Sequence, residues 1–229
     1  MKKIVSVVML CMLCLLAAFA LTACAASQPA ASNTTAPSAA PTEMTQQAAG
    51  GEGKTLVVYF SVPDNRDNSY VEENGERLGN TQYMAYVIQA NTGADIFRIQ
   101  PKTPYPTDHS ELLNVAQQEL RDNARPEIDG VIENFADYDT VFVGYPTWNA
   151  DMPNIMYTFF EAYDFSGKTL VPFNTHGGSG FAGTRETIAR LEPGAAMLEG
   201  KSISRSSIEG AEQEIISWLD SIGQLKNGQ

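Results

Sequence analysis

Beyond residue 24 this chain of 229 residues contains no cysteine; all three (Cys11, Cys14 and Cys24) lie at the N-terminus. A disulfide framework, a thiolate nucleophile and a cysteine metal site are therefore excluded from whatever folds downstream, and an ordinary apolar core must supply its stability. Positive charge is also scarce, at 15 Lys and Arg against 27 Asp and Glu. Setting aside Lys2 and Lys3 leaves 13 basic against 27 acidic residues, a net charge of −14. That balance argues against nucleic acid and anionic lipid surfaces as partners. It also excludes a large polybasic phosphate site, so a bound phosphate must be held mainly by backbone and hydroxyl donors.

The one long apolar run, from Ile4 to Leu21, follows Lys2 and Lys3 and ends in Leu21-Thr22-Ala23-Cys24. This is the layout of a secretory signal over residues 1–23, and it resembles the bacterial lipobox, in which the cysteine is lipidated. Cys24 is thus the expected lipid attachment and membrane contact. A short uncleaved membrane anchor is the alternative, and either places the domain outside the cytoplasm, at the membrane or envelope. Residues 24–53 then consist largely of Ala, Ser, Thr, Pro, Gln and Gly. Such a stretch cannot bury enough surface to offset its chain entropy. It reads as a tether reaching on the order of 30 Å by random-coil scaling.

From residue 54 to 229 the pattern is that of one domain in which strands alternate with helices. Thr55–Phe60, Ala94–Ile99, Thr140–Tyr145, Lys168–Asn174 and Ala196–Leu198 read as strands. Pro172 warns against a simple central strand in the fourth of these. Helices are expected over residues 81–89, after a cap at Thr107 or Asp108, and over 154–163, 183–191 and 207–222. Such alternation predicts an α/β fold, a doubly wound parallel sheet with ligands outside the carboxyl ends of its strands.

Three loops follow strands and carry chemistry. Ser61 and then Gly79-Asn80-Thr81-Gln82 place hydroxyls, an amide and N–H groups at a helix start, a phosphate site without Lys or Arg, or simple capping. Pro146-Thr147-Trp148-Asn149 exposes an indole that can stack on a flat ring or close the rim of the core. Thr175-His176-Gly177-Gly178-Ser179 combines a histidine with glycines that let backbone approach a flat ligand, or that form only a mobile turn. His176 can donate a proton or serve as a hydrogen-bonding wall. His109 reads as structural.

The segments TLVVYFS (55–61), GNTQYMAYVIQ (79–89), PYPTDH (104–109), YDTVFVGYPTW (138–148) and FNTHGGSGFAGT (173–184) resemble the flavodoxin-like family, and within it bacterial lipoproteins and secreted flavoproteins. The resemblance implies a five-stranded sheet in the order 2-1-3-4-5; flavodoxin is itself an instance of the rule on ligand position in such sheets. It implies FMN, with the phosphate on Ser61, Asn80 and Thr81 and Gln82 at the edge. The isoalloxazine would lie against Pro146, Thr147, Trp148 and Asn149, and against Thr175, His176, Gly177, Gly178 and Ser179. No metal is implied.

Two departures from the family pattern stand out. Residues 62–78 interrupt the phosphate loop, either as a partner-facing excursion or as a variable surface loop. Asn149-Ala150 stands where a glycine commonly neighbours the flavin N5, so the one-electron form is expected to be less stabilised. The resulting expectation is an extracytoplasmic FMN redox protein, a carrier or a reductase of small acceptors such as quinones, with donor and acceptor left open. The competing expectation is an envelope-anchored binding protein that keeps the fold without redox activity.

Overall fold

The computed structural model describes residues 53–62, 69–73 and 75–226. The expected signal segment, Cys24 and nearly all of the expected tether lie outside the described residues. Among the described residues no helix is long and apolar enough to cross a membrane.

In chain order the elements are β1 (Thr55–Phe60), β2 (Tyr70–Glu73), β3 (Glu76–Gly79), α1 (Asn80–Thr92), β4 (Asp95–Pro101), α2 (His109–Asp122) and β5 (Ile128–Asp129). A 3-10 turn at Phe135–Asp137 follows, then β6 (Thr140–Pro146), α3 (Asn154–Ala162), β7 (Thr169–His176), α4 (Thr184–Leu191), β8 (Ala196–Met197), β9 (Lys201–Ser204) and α5 (Glu212–Ser221). β1 pairs in parallel with β4 on one side and β6 on the other; β7 pairs in parallel with β6, and with β8 and β9 beyond it. With β8 and β9 counted as one broken fifth strand, the order is the expected 2-1-3-4-5. A short antiparallel strand, β5, extends the β4 edge.

The sheet is covered on both faces, which is why β1, β6 and β7 read as continuous apolar runs rather than alternating ones. Val57, Tyr59, Phe142 and Phe173 pack with α1 and α5 through Met84, Ile88, Ile215 and Leu219. Val58, Phe60, Val141 and Val143 pack on the other face with Ile155 and Phe159 of α3 and Ile188 of α4. Successive strand residues thus divide between two cores, as the two-residue period of a strand requires.

Pro172 sits inside β7 after all. The even-numbered residues of β7 turn their backbone groups toward the fifth strand, since Leu170 O and His176 O accept from Leu198 N and Arg205 N. The missing N–H of Pro172 therefore faces the gap between β8 and β9, where no ladder bond is required of it. Gly200 passes this gap closely; a Cβ there would meet Pro172 O at 2.5 Å.

Part of the interruption after β1 is built structure rather than loose surface loop. β2 and β3 form an antiparallel hairpin whose Val71 and Leu78 are buried in the α1/α5 layer. Arg77 lies over the Tyr70 ring at 3.9 Å. Residues 63–68 and 74 lie outside the described residues. The last helix is shorter than expected, because 207–211 is a loop whose Ile208 and Ala211 plug the same layer. Asp108, not Thr107, caps α2, accepting from Ser110 N and Glu111 N at 3.0 and 3.1 Å.

Candidate functional site

The carboxyl ends of β1, β6 and β7 meet at a cavity of about 220 Å³. Ser61, Asn80, Thr81, Pro146, Thr147, Trp148, Asn149, Thr175, His176 and Gly177 all line it. One parallel register places them together. Tyr145 pairs with Asn174 and Pro146 with Thr175, so the loops leaving β6 and β7 start level with one another.

Buried polar bonds hold these loops. The Asn174 side chain is fully buried, and its Nδ2 donates to Thr147 Oγ1 and, at 2.9 Å, to Gly180 O. Thr147 Oγ1 in turn donates to Gly180 O at 3.0 Å, and Thr147 N to Thr175 O at 2.8 Å. Across the cavity floor the hydroxyls of Thr81 and Thr175 lie 2.8 Å apart, joining the start of α1 to the end of β7. The Thr147 hydroxyl is thus occupied in tying the two loops together.

At the α1 start, Asn80, Thr81 and Gln82 are buried, and first-turn N–H groups lack intrahelical acceptors. Asn80 Oδ1 is buried with no hydrogen-bond partner. Turning that amide over would place Nδ2 in the same space as a donor. A buried amide, hydroxyls and a helix N-terminus match the donor set that an anionic phosphate requires.

Gln82 lies outside the lining. Its Oε1 accepts from Gly79 N at 3.4 Å and its Nε2 donates to Tyr86 Oη at 2.9 Å, so it serves as a helix-start brace. Gly178 and Ser179 are exposed beyond the lining as well. Gly178 N donates to His176 Nδ1 at 2.8 Å. Burial lowers the His176 pKa, so the neutral ring is favoured, with Nδ1 accepting and Nε2 left as the donor. That geometry suits a hydrogen-bonding wall better than a ready acid.

Trp148 both lines the cavity and closes the rim of the core. Its ring meets Phe60 and Tyr105 at centroid distances of 5.4 Å, both close to perpendicular. Tyr105 Oη donates to Glu119 Oε2 at 2.9 Å, and burial raises the Glu119 carboxyl pKa. After Trp148 the chain reverses in two residues, with Trp148 N and O both bonded to Asp151 at 2.8 Å. Asn149 and Ala150 have φ of 50° and 59°, the double left-handed geometry of a type I′ turn. The turn keeps its geometry although alanine stands where glycine is favoured.

The cavity also takes residues that the sequence reading left out, including His109, Leu112 and Leu113 of α2 and Arg205 after β9. The available signal was positional: their segments also follow strands and so emerge at the same edge.

A model of the flavodoxin family matches residues 75–222. The chain belongs to the flavodoxin family. A flavodoxin from Picosynechococcus sp. (strain ATCC 27264 / PCC 7002 / PR-6) is 29% identical over 136 residues, 57% of this chain and 66% of that protein. The chain thus spans just under two thirds of that curated relative. A crystallised Bacteroides eggerthii DSM 20697 protein assigned as a flavoprotein is 32% identical, with a TM-score of 0.60 over 74% of this chain and 97% of that one. The fold is shared with a Lactobacillus acidophilus NCFM flavoprotein solved in complex with FMN, at 18% identity and a TM-score of 0.52 over 69% of this chain and 97% of the other. Family membership supports FMN as the cofactor, and the donor set at the α1 start fits its phosphate.

Ala150 carries a left-handed cost of about 1–2 kcal/mol that glycine avoids, offset in part by the roughly 0.5–1 kcal/mol entropy loss of glycine. Ala150→Gly is therefore expected to stabilise the protein by up to about 1.5 kcal/mol. Chemical denaturation reads this as a higher midpoint at unchanged slope; a lower midpoint contradicts the strained-turn account.

Proposed function

We propose that this flavodoxin-family domain binds one FMN and works outside the cytoplasm as a redox protein, passing electrons from a reduced donor to a small acceptor of the quinone class. The observation that carries the reading is the joining, in one cavity, of a phosphate-type donor set at the α1 start with an indole and a glycine, Gly177, that suit a flat ring. The L. acidophilus protein of the same fold was solved in complex with FMN, which supports a flavin on this fold.

When bound, FMN supplies the electron-transfer chemistry, and the protein positions it and tunes its potential. Asn80, Thr81 and the first turn of α1 hold the phosphate end. Trp148, braced by Phe60 and Tyr105, presents a ring face that costs little entropy to order. His176 Nε2 offers a neutral donor to a polar ring edge, and the acidic protein disfavours extra negative charge on the cofactor. The two hydrogen bonds that close the Trp148–Asp151 turn hold its central peptide in one orientation, which favours two-electron chemistry and so a reductase over a carrier. Lipid attachment at Cys24 with the following tether keeps the domain at the membrane.

Full-length protein is expected to purify yellow, release FMN on denaturation and lose its flavin absorbance on reduction in a single two-electron phase. Colourless protein that FMN neither colours nor stabilises would favour a binding protein without redox activity. Cells fed a labelled fatty acid are expected to incorporate the label into the wild-type protein and not into Cys24→Ser; a wild-type protein that takes up no label contradicts the lipid anchor.

A further inference from the structure

The sequence reading left the phosphate end of the cavity without a cation. The fold supplies one, because Arg205 also lines the cavity.

The path of its loop puts it on the phosphate side of the cavity. Ile203 before it and Ile208 after it are both buried in the layer that contains α1, so this loop sits on the α1 side of the sheet edge. The α2 side lies across the sheet, where α2 is tied to α3 by Asn154 Nδ2 donating to Glu119 O at 2.9 Å. The loop is fixed rather than loosely appended: Arg205 N donates to His176 O at 2.8 Å, continuing the β7–β9 ladder. Its side chain then runs over Gly177, with Nε 3.9 Å from the point that a Cβ on that glycine would occupy. Thr175, two residues before Gly177, is the partner of Thr81 at the α1 start.

We propose that Arg205 is the cationic ligand of the FMN phosphate and makes the site select FMN over its unphosphorylated form, riboflavin. The inference rests on the flavin reading. A guanidinium suits the task better than an ammonium because its fork can meet two phosphate oxygens at once. In a chain carrying 27 acidic against 15 basic residues, one cation at the lip also offsets the repulsion that a dianionic phosphate meets on entry. Asn80, Thr81 and the first turn of α1 supply the uncharged donors beneath it.

The test compares FMN and riboflavin binding by full-length protein stripped of flavin, at low and high salt. Wild type is expected to prefer FMN, with an affinity that weakens as salt rises. Arg205→Gln is expected to raise the FMN dissociation constant about tenfold or more, to change that of riboflavin by less than about twofold, and to flatten the salt dependence. Arg205→Lys should fall between the two. Equal weakening of both flavins would reduce Arg205 to a loop brace, and unchanged FMN affinity would remove it from the site; either overturns the inference while leaving the flavin reading intact. Wild-type protein that binds neither flavin contradicts the flavin reading, and this inference with it.

Discussion

A parallel sheet sends every strand out at the same edge, and the site depends on that constraint. β1, β6 and β7 leave level with one another, so segments far apart in sequence arrive at one cavity. The fully buried Asn174 converts this proximity into a fixed shape. Its amide reaches Thr147 at the end of β6 and Gly180 in the glycine loop. The Thr81–Thr175 hydroxyl pair does the same between β7 and α1. Bonds of this kind are strong because they are buried, and costly to break because a broken partner cannot recover water.

The remaining irregularities are placed where this frame tolerates them. Pro172 lacks its donor only toward the break between β8 and β9. The left-handed Asn149-Ala150 pair occupies a turn closed by two hydrogen bonds, so neighbouring structure holds the strain. The β2–β3 hairpin adds Val71 and Leu78 to the core, and the loop after β9 adds Ile208. Both segments also reach the cavity, through Ser69 just before the hairpin and Arg205 in the loop after β9.

Much of this was legible in the sequence because buried parallel strands announce themselves as short apolar runs, and the loops after them as glycine, hydroxyl and amide clusters. Strand order and the three leading loops came from such runs and from the family pattern together. What escaped had no such signature. The hairpin strands Tyr70–Glu73 and Glu76–Gly79 carry Glu72, Glu73, Glu76 and Arg77, so one face is polar and the run looks like loop. Gln82 shares its place at the helix start with Asn80 and Thr81, and only the geometry shows its side chain bracing Gly79 instead of lining the cavity. Arg205 is a lone basic residue in a serine-rich turn; its position depends on β9 lying beside β7, which no local pattern encodes.

The central claim is that the α1 start and the Trp148 loop are two ends of one FMN site. A crystal structure of the protein grown with FMN tests it most directly. The account predicts the phosphate against Asn80 and Thr81 and the isoalloxazine beside Trp148 and Asn149. Flavin density elsewhere on the protein, or the phosphate placed at the Trp148 end, would contradict it.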